Sequence, residues 1–295
     1  MKFNRVVLFL SALLLSLALL SGCVGVIPPE TAESAAPSVE PGDSPGPAVT
    51  AAPVETPAAP VEERVEALLG EMTLEEKIGQ MIQVERNFLR YGEIEEYLLG
   101  SVLSGGGSSP PKNDLNNWVQ MIKGYQREAA STRLGIPLIY GIDAVHGHNT
   151  VAGAVVFPHN IGLGAADDPA LMADIAAVTA EEMLATGIPW NFAPCVAVAQ
   201  DPRWGRYYES YGENADLVTE LSGAYISGLA AYGVAPCMKH YAADGAAEWG
   251  TGVGGGIDQG DATLTEDELA TVHLPAYKAA VDAGVMSVMA SFSSI

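Results

Sequence analysis

The sequence predicts an α/β fold in which helices cover a parallel sheet, and a (β/α)8 TIM-type barrel is the favoured form of it. Short apolar runs alternate along the chain with segments of helical periodicity. Most of these runs are apolar at every position, which is typical of strands buried on both faces. Polar residues cluster directly after successive runs, as expected when the strand ends face one shared site. An open doubly wound sheet also fits the alternation, but the shared site favours a barrel.

Six apolar runs have the length and composition of buried strands. In chain order they are Ile78–Val84, Ser101–Ser104, Pro137–Asp143, Ile188–Val198, Val234–Tyr241 and Val285–Phe292. Because a closed barrel needs eight strands and the sequence stops directly after the sixth run, we expect a barrel that is truncated after about six strands.

Helical periodicity and capping residues predict the helices between these runs. Thr73 with Glu76, and Thr265 with Glu268, have the spacing of capping boxes. Asp168 is a predicted N-cap, with Pro169 at the first helical position. The predicted helices are a first one with apolar residues from Val61 to Met72, then Asp114–Ser131, Asp168–Thr186, Glu213–Tyr232 and Thr265–Ala283.

The first 60 residues differ in composition from the rest. Residues 1–22 combine Lys2 and Arg5 with the apolar run Val6–Leu20, which is too short to span a membrane and predicts an export signal peptide. Leu20–Cys23 resembles the lipobox of bacterial lipoproteins, which implies cleavage before Cys23 and its lipidation. Residues 23–60 are rich in Pro and Ala and predict a disordered tether. We therefore expect an exported protein, held to the outer face of a bacterial membrane only by its lipid, with a folded domain at residues 61–295.

Composition excludes several classes of partner. Against 14 Lys and Arg, 36 Asp and Glu give a formal net charge of −22, which would repel nucleic acids and anionic membrane surfaces and favours a neutral substrate. The 3 cysteines are too few for a disulfide framework, and their spacing does not match a zinc site. We expect Cys195 and Cys237 to be small buried residues.

Four charged or basic residues follow three consecutive predicted strands. Asp143 ends the third run, Arg206 lies in the loop after the fourth, and Lys239 with His240 closes the fifth. In a barrel these strand ends converge, so one carboxylate and three potential cations could surround a small polar ligand. A carboxylate accepts from vicinal hydroxyls while lysine and arginine donate to them, which suits a sugar. The alternatives are a structural salt bridge for Asp143 and Arg206, and a solvated lysine beside a surface histidine.

No cofactor or metal ion is predicted. His146, His148 and His159 are interpreted as turn or packing histidines, because no His, Asp or Glu spacing matches a metal motif. Gly250–Gly260 lacks the Gly-Lys-Ser/Thr ending of a phosphate loop, and Asp258 and Asp261 would repel phosphate.

Five motifs in order resemble the successive signatures of glycoside hydrolase family 3, on its β-glucosidase branch. They are Met72–Met81, Gly141–Gly147, Phe157–Asn160, Asp201–Arg206 and Lys239–Tyr241. The resemblance implies an N-terminal (β/α)8-type barrel and release of β-D-glucose, with retention, from the nonreducing end of β-glucosides or cello-oligosaccharides. It also implies that Asp143, Arg206, Lys239 and His240 hold the nonreducing-end sugar.

The resemblance places both catalytic carboxylates outside this sequence. The family's nucleophilic aspartate lies on the strand after the sixth, and its acid/base usually comes from a second domain. We therefore expect the 295-residue chain alone to be inactive. One alternative is a surface lipoprotein that binds sugar without chemistry, or an inactive remnant. Another is a β-N-acetylhexosaminidase of the same family, although that branch usually carries a further histidine where this chain has Ala242–Gly245.

Overall fold

The computed structural model describes residues 60–295. The predicted signal peptide, the predicted lipidation site Cys23 and the tether up to residue 59 lie outside the described residues. Among residues 60–295, no helix is both long and apolar enough to cross a membrane.

The sheet has six strands, all paired in parallel, in the same order in space as along the chain. A doubly wound sheet reverses its strand order at a switch point, whereas a barrel keeps chain order, so the TIM-type prediction is confirmed for these six strands. The strands are β1 (Gln83–Glu85), β2 (Ser101–Ser104), β3 (Ile139–Ile142), β4 (Trp190–Asn191), β5 (Ala235–Tyr241) and β6 (Ser287–Ala290).

Helices precede or follow most strands and cover the outside of the sheet. They are α1 (Val61–Glu71), α2 (Leu74–Gln80), α3 (Glu93–Glu96), α4 (Leu115–Ser131), α5 (Asn160–Ala166), α6 (Pro169–Thr186), α7 (Ala215–Ala231), α8 (Glu266–Glu268) and α9 (Pro275–Asp282). The N-cap prediction is confirmed at Asp168, whose carboxylate accepts from the backbone N–H of Leu171 at 3.0 Å. Both predicted capping boxes form, at Thr73 with Glu76 and at Thr265 with Glu268.

The first predicted strand, Ile78–Val84, is wrong over its first half. The helix that Thr73 caps continues as α2 to Gln80, and β1 begins only at Gln83. Gly79 lets this helix approach the backbone of Leu98 closely, since a Cβ there would lie 2.5 Å from the Leu98 carbonyl oxygen. The apolar run is therefore the end of an amphipathic helix followed by a short strand.

The fourth predicted strand, Ile188–Val198, is regular only at Trp190–Asn191. Pro194 interrupts the ladder because it has no N–H to donate. The chain nevertheless stays beside β5 beyond this point, since the N–H of Val196 donates to Lys239 O at 2.8 Å. The pairing of this segment with β5 thus extends further than the regular strand does.

The predicted helix Thr265–Ala283 is broken into three parts. The short α8 is followed by a π-helical turn, Leu269–His273, and then by α9. Pro275 has no N–H for a helical hydrogen bond, so it can only begin a new helix at its first position.

The core lies between the sheet and the longer helices. Its largest fully buried side chains include Trp118 of α4, Tyr140 and Ile142 of β3, and Leu221 and Ile226 of α7. The prediction for Cys195 and Cys237 is confirmed, since both are buried free thiols. Burial raises the pKa of the Cys195 thiol to about 12. This core fixes the positions of the strand ends, which carry the candidate site.

Candidate functional site

A buried lysine and a partly exposed carboxylate meet where β3 and β5 end. Lys239 lies on β5 and Asp143 directly follows β3, and the Lys239 Nζ donates to Asp143 Oδ1 at 2.8 Å. The Lys239 side chain is only 4% exposed, whereas that of Asp143 is 36% exposed. Among residues 60–295 the second oxygen of Asp143 accepts no hydrogen bond. The pair thus presents an open acceptor, and the two remaining donors of a lysine ammonium, at the end of the sheet.

Two consecutive residues of β5, Lys239 and His240, are buried at this end of the sheet. Side chains of a regular strand point alternately to opposite faces, so only one of the two would normally face the site. The pairing of β5 with β6 shifts register between Lys239 and Tyr241. Such a bulge re-aims side chains, which explains how neighbouring residues can serve one site. The Lys239–His240 and Tyr241–Ala242 peptide bonds are both cis.

Arg206 is held by a carboxylate three residues further along the chain. A 3-10 turn, Tyr207–Glu209, follows Arg206. The Arg206 Nε and Nη2 donate to the two oxygens of Glu209 at 2.7 and 2.8 Å. Although burial works against the charge, the facing guanidinium lowers the pKa of Glu209. In turn, and again against the effect of burial, the Glu209 carboxylate raises the pKa of Arg206. This bidentate pair fixes the orientation of the guanidinium.

His240 contacts Arg206 and links it to a second buried carboxylate, that of Asp244. The Arg206 Nη2 is 3.0 Å from His240 Nε2, and His240 Nδ1 is 2.6 Å from Asp244 Oδ2. Asp244 belongs to a 3-10 turn, Asp244–Ala246, that follows β5. The four predicted residues therefore form two separate pairs of contacting residues, Asp143 with Lys239 and Arg206 with His240.

A cleft of about 320 Å³ opens over these pairs. That volume is within the range of small-molecule sites. Three of the predicted residues, Asp143, Arg206 and Lys239, line it, whereas His240 does not. The other lining residues are Gly106, Gly107, Val145, His146, Asn149, Thr150, His159, Tyr208 and Glu209.

Of the three histidines that follow β3, one is buried in the core and two line the cleft. The packing prediction is confirmed for His148, which is fully buried, contacts Thr186 Oγ1 at 3.0 Å, and has a pKa lowered to about 4 by burial. His146 and His159 also pack, with ring centroids 4.1 Å apart, but both line the cleft. Among residues 60–295 no group of three His, Cys, Asp or Glu side chains could hold a metal ion.

Sequence reasoning missed Glu209 and Asp244. Their spacing offered a signal, because Glu209 is three residues after Arg206 and Asp244 four residues after His240. Opposite charges at these separations meet when the segment is helical. The sequence predicts irregular loops for both segments, whereas each contains a single helical turn.

With this geometry established, comparison with known proteins identifies the family. The family described as "Glycosyl hydrolase family 3 N terminal domain" matches residues 73–295. The chain belongs to glycosyl hydrolase family 3.

Relatives within the family include β-glucosidases, a β-glucanase and β-xylosidases. The crystal structure of the exo-1,3/1,4-β-glucanase from a Pseudoalteromonas species is 41% identical, with a TM-score of 0.74, over 79% of this chain and 30% of that one. A β-glucosidase from Listeria innocua, in complex with glucose, is 32% identical with a TM-score of 0.66 over 79% of this chain and 33% of that one. The periplasmic β-glucosidase of Salmonella typhimurium is 29% identical over 77% of this chain and 28% of its own length. The chain thus spans about a third of the length of these family members.

Proposed function

We propose that this chain is the part of a β-glucosidase that recognises the nonreducing-end sugar of β-glucosides or cello-oligosaccharides. The observation that carries the proposal is the open cleft in which Asp143, Lys239 and Arg206 converge. Active sites of TIM-type barrels lie at this end of the strands. The Listeria relative was crystallised with glucose and, as a mutant, with laminaribiose.

The arrangement matches the hydrogen-bonding needs of a sugar ring. The free oxygen of Asp143 accepts from one hydroxyl, while the same hydroxyl, or the vicinal one, accepts from Lys239. The Arg206 guanidinium, kept in place by Glu209, donates in a fixed direction. Three charged groups with fixed geometry thus distinguish the ring by the directions of its hydroxyls.

Hydrolysis with retention requires two carboxyl groups about 5–5.5 Å apart across the scissile bond. We assign neither role to the cleft carboxylates. Glu209 has both oxygens bound to Arg206, which also lowers its pKa, so it is a poor proton donor. Asp143 is bound to Lys239, which favours its use as a hydrogen-bond acceptor for the sugar. The nucleophile and the acid/base then lie outside this chain.

The decisive experiment separates binding from turnover. We expect the purified 295-residue chain to bind glucose in isothermal titration calorimetry and to release no nitrophenol from an aryl β-glucoside. Arg206→Ala should abolish the binding. Arg203→Ala is the matched control, because Arg203 lies in the same loop but is exposed, pairs with Asp201 and does not line the cleft. Absence of glucose binding by the wild-type chain would refute the proposed site.

The reading frame beyond codon 295 distinguishes an enzyme from a protein that only binds sugar. We expect a continuing frame that encodes the two catalytic carboxylates, and hydrolysis of an aryl β-glucoside by the protein expressed from it. Faster hydrolysis of the matching β-N-acetylglucosaminide would instead support the hexosaminidase alternative. A stop codon at that point, together with glucose binding, would support a sugar-binding lipoprotein or an inactive remnant.

We further propose that the protein is exported and anchored through lipid on Cys23. The support is the sequence before Cys23 and the periplasmic β-glucosidase among its relatives. Incorporation of labelled palmitate into the wild-type protein, but not into Cys23→Ala, would be the expected result. Equal labelling of both proteins, or of neither, would contradict the anchor.

A further inference from the structure

Asp244 is a buried carboxylate that the proposed sugar contacts do not use. Its side chain is about 7% exposed, and both of its oxygens have partners. Oδ2 is 2.6 Å from His240 Nδ1, and Oδ1 accepts a hydrogen bond from the Ser291 hydroxyl. A buried carboxylate bound to a histidine is a common device for orienting the imidazole ring.

The two neighbours of His240 determine which ring nitrogen carries the proton. A guanidinium has only donors, so Nε2 must accept the hydrogen bond from Arg206 Nη2. An ionised carboxylate has only acceptors, so Nδ1 must carry the proton that it shares with Asp244. A doubly protonated ring would turn an Nε2–H toward the N–H of Arg206, which this contact does not allow. These two contacts therefore place the ring proton on Nδ1 and leave Nε2 as the acceptor.

The backbone holds Asp244 in position from the loops after β4 and β6. A Cβ on Gly245 would lie 2.1 Å from the Val198 carbonyl oxygen, so this turn sits directly against the loop after β4. The N–H of Gln200 donates to Gly245 O at 3.0 Å. On the other side, the N–H of Ser291 donates to Tyr241 O at 2.7 Å, which places the hydroxyl that binds Asp244. The carboxylate is thus oriented before any ligand arrives.

We propose that Asp244 is a positioning residue that fixes the tautomer of His240, so that Nε2 is an acceptor toward Arg206, which lines the cleft. The hydrogen-bonded series runs from Ser291 through Asp244 and His240 to Arg206, whose Nε and Nη2 also donate to Glu209. Arg206 is then oriented from two sides. The effect of this tautomer on sugar affinity rests on the proposed function, whereas the tautomer itself does not.

Nitrogen-15 NMR of the imidazole side chains in the full 295-residue chain tests the tautomer directly. We expect His240 to show a protonated Nδ1 and an unprotonated Nε2. In Asp244→Ala neither ring nitrogen has the carboxylate partner, and in Asp244→Asn the amide can present its oxygen or its NH2 group to Nδ1. In both variants only the Arg206 contact still opposes protonation of Nε2, so we expect the share of Nε2-protonated ring to rise and the Arg206–His240 contact to be lost in that share. If Asp244→Ala does not fold, the isosteric Asp244→Asn decides the question, and His148 in the same spectra is the internal control. A wild-type ring protonated on Nε2, or an unchanged His240 spectrum in the folded variants, would overturn the assignment.

Glucose titration of the same proteins tests the consequence. We expect Asp244→Asn to bind glucose about tenfold more weakly, the usual scale for one hydrogen bond to a charged group. Asp201→Asn is the matched control, because Asp201 is an aspartate on the same rim that binds Arg203. If the wild-type chain binds no glucose, the proposed function fails while the NMR result still decides the tautomer. Equal glucose affinity of wild type and Asp244→Asn, despite a changed tautomer, would overturn the positioning role.

Discussion

The ion pairs at the two ends of the sheet differ in how fully the protein satisfies the hydrogen bonds of their carboxylates. At the end where strands begin, Arg133 precedes β3 and binds Glu76 of α2 through two hydrogen bonds of 2.9 and 2.6 Å. Glu76 also accepts from the N–H of Thr73 at 2.8 Å, and Arg133 also donates to Glu71 O at 2.8 Å. At the end where strands finish, the Asp143 carboxylate accepts only from Lys239 among the described residues. Both oxygens of the Glu76 carboxylate accept hydrogen bonds from the protein, whereas among the described residues only one oxygen of the Asp143 carboxylate does.

This difference supports our proposal that the pair of Glu76 and Arg133 is structural and that the pair of Asp143 and Lys239 binds sugar. A carboxylate whose hydrogen bonds are all made within the protein stabilises the fold but has little capacity left for a ligand. A buried lysine beside a half-satisfied carboxylate instead offers both donors and an acceptor to a molecule in the cleft. In TIM-type barrels the beginning of the strands serves stability and their C-terminal ends serve activity, which agrees with this division.

Removing the charge of Lys239 should have the largest effect on activity. Glycosidase contacts to sugar hydroxyls strengthen as the ring approaches the oxocarbenium ion, so their loss falls mainly on the transition state. For Lys239→Met in the protein expressed from the whole reading frame, we expect kcat/KM to fall by about 2–4 kcal/mol, or roughly 30- to 800-fold. Because methionine replaces a buried cation with an apolar side chain, and the Asp143 carboxylate left behind is 36% exposed to water, Tm should stay the same or rise. Steady-state kinetics and thermal melts measure the two quantities.

Asp143→Ala provides the complementary test of the same pair. It should lower kcat/KM at least as much as Lys239→Met, but it should also lower Tm, because it leaves the buried Lys239 without its anion. If neither variant changed kcat/KM by more than about threefold, the pair would be structural, like that of Glu76 and Arg133.

Two glycines, one at each end of the sheet, should separate stability from sugar binding. Gly100 precedes β2, and a Cβ there would lie 2.2 Å from Gln80 O, whereas at Gly245 it would lie 2.1 Å from Val198 O. Overpacking of this kind typically costs about 1–3 kcal/mol. We expect both Ala variants to melt at lower temperature, but only Gly245→Ala to bind glucose more weakly, because it displaces Asp244. Equal affinities of the two variants would show that the turn at Asp244 does not control the cleft.

The same contrast explains what the sequence could and could not predict. Asp143, Arg206 and Lys239 follow apolar strands at successive positions, so local pattern and the rules of parallel sheets were enough to bring them together. Their partners Glu209 and Asp244 lie on single helical turns, which have too few residues to produce a periodicity. The prediction of a strand at Ile78–Val84 was wrong over its first half for a related reason, because a short apolar run fits the end of a helix as well as a strand.

Lowering the pH should weaken the ion pair that Glu76 forms with Arg133 at the beginning of the strands. Hydrogen bonds from Arg133 and from the backbone of Thr73 lower the pKa of Glu76 to about 2, from an ordinary value of 4.5. A carboxylate with a lowered pKa contributes its stability above the ordinary pKa and loses it as the pH falls toward the folded value. Arg133→Gln removes the largest cause of the shift, so its Tm should lie a few degrees below that of the wild type near pH 6. That gap should shrink between about pH 4.5 and pH 2, where the wild type also loses the charge on Glu76.

Glucose affinity near pH 6 should be the same in both proteins, because Arg133 does not line the cleft. A constant Tm gap across this pH range would mean that Arg133 stabilises the fold through its contact with the Glu71 carbonyl and not through the charge of Glu76.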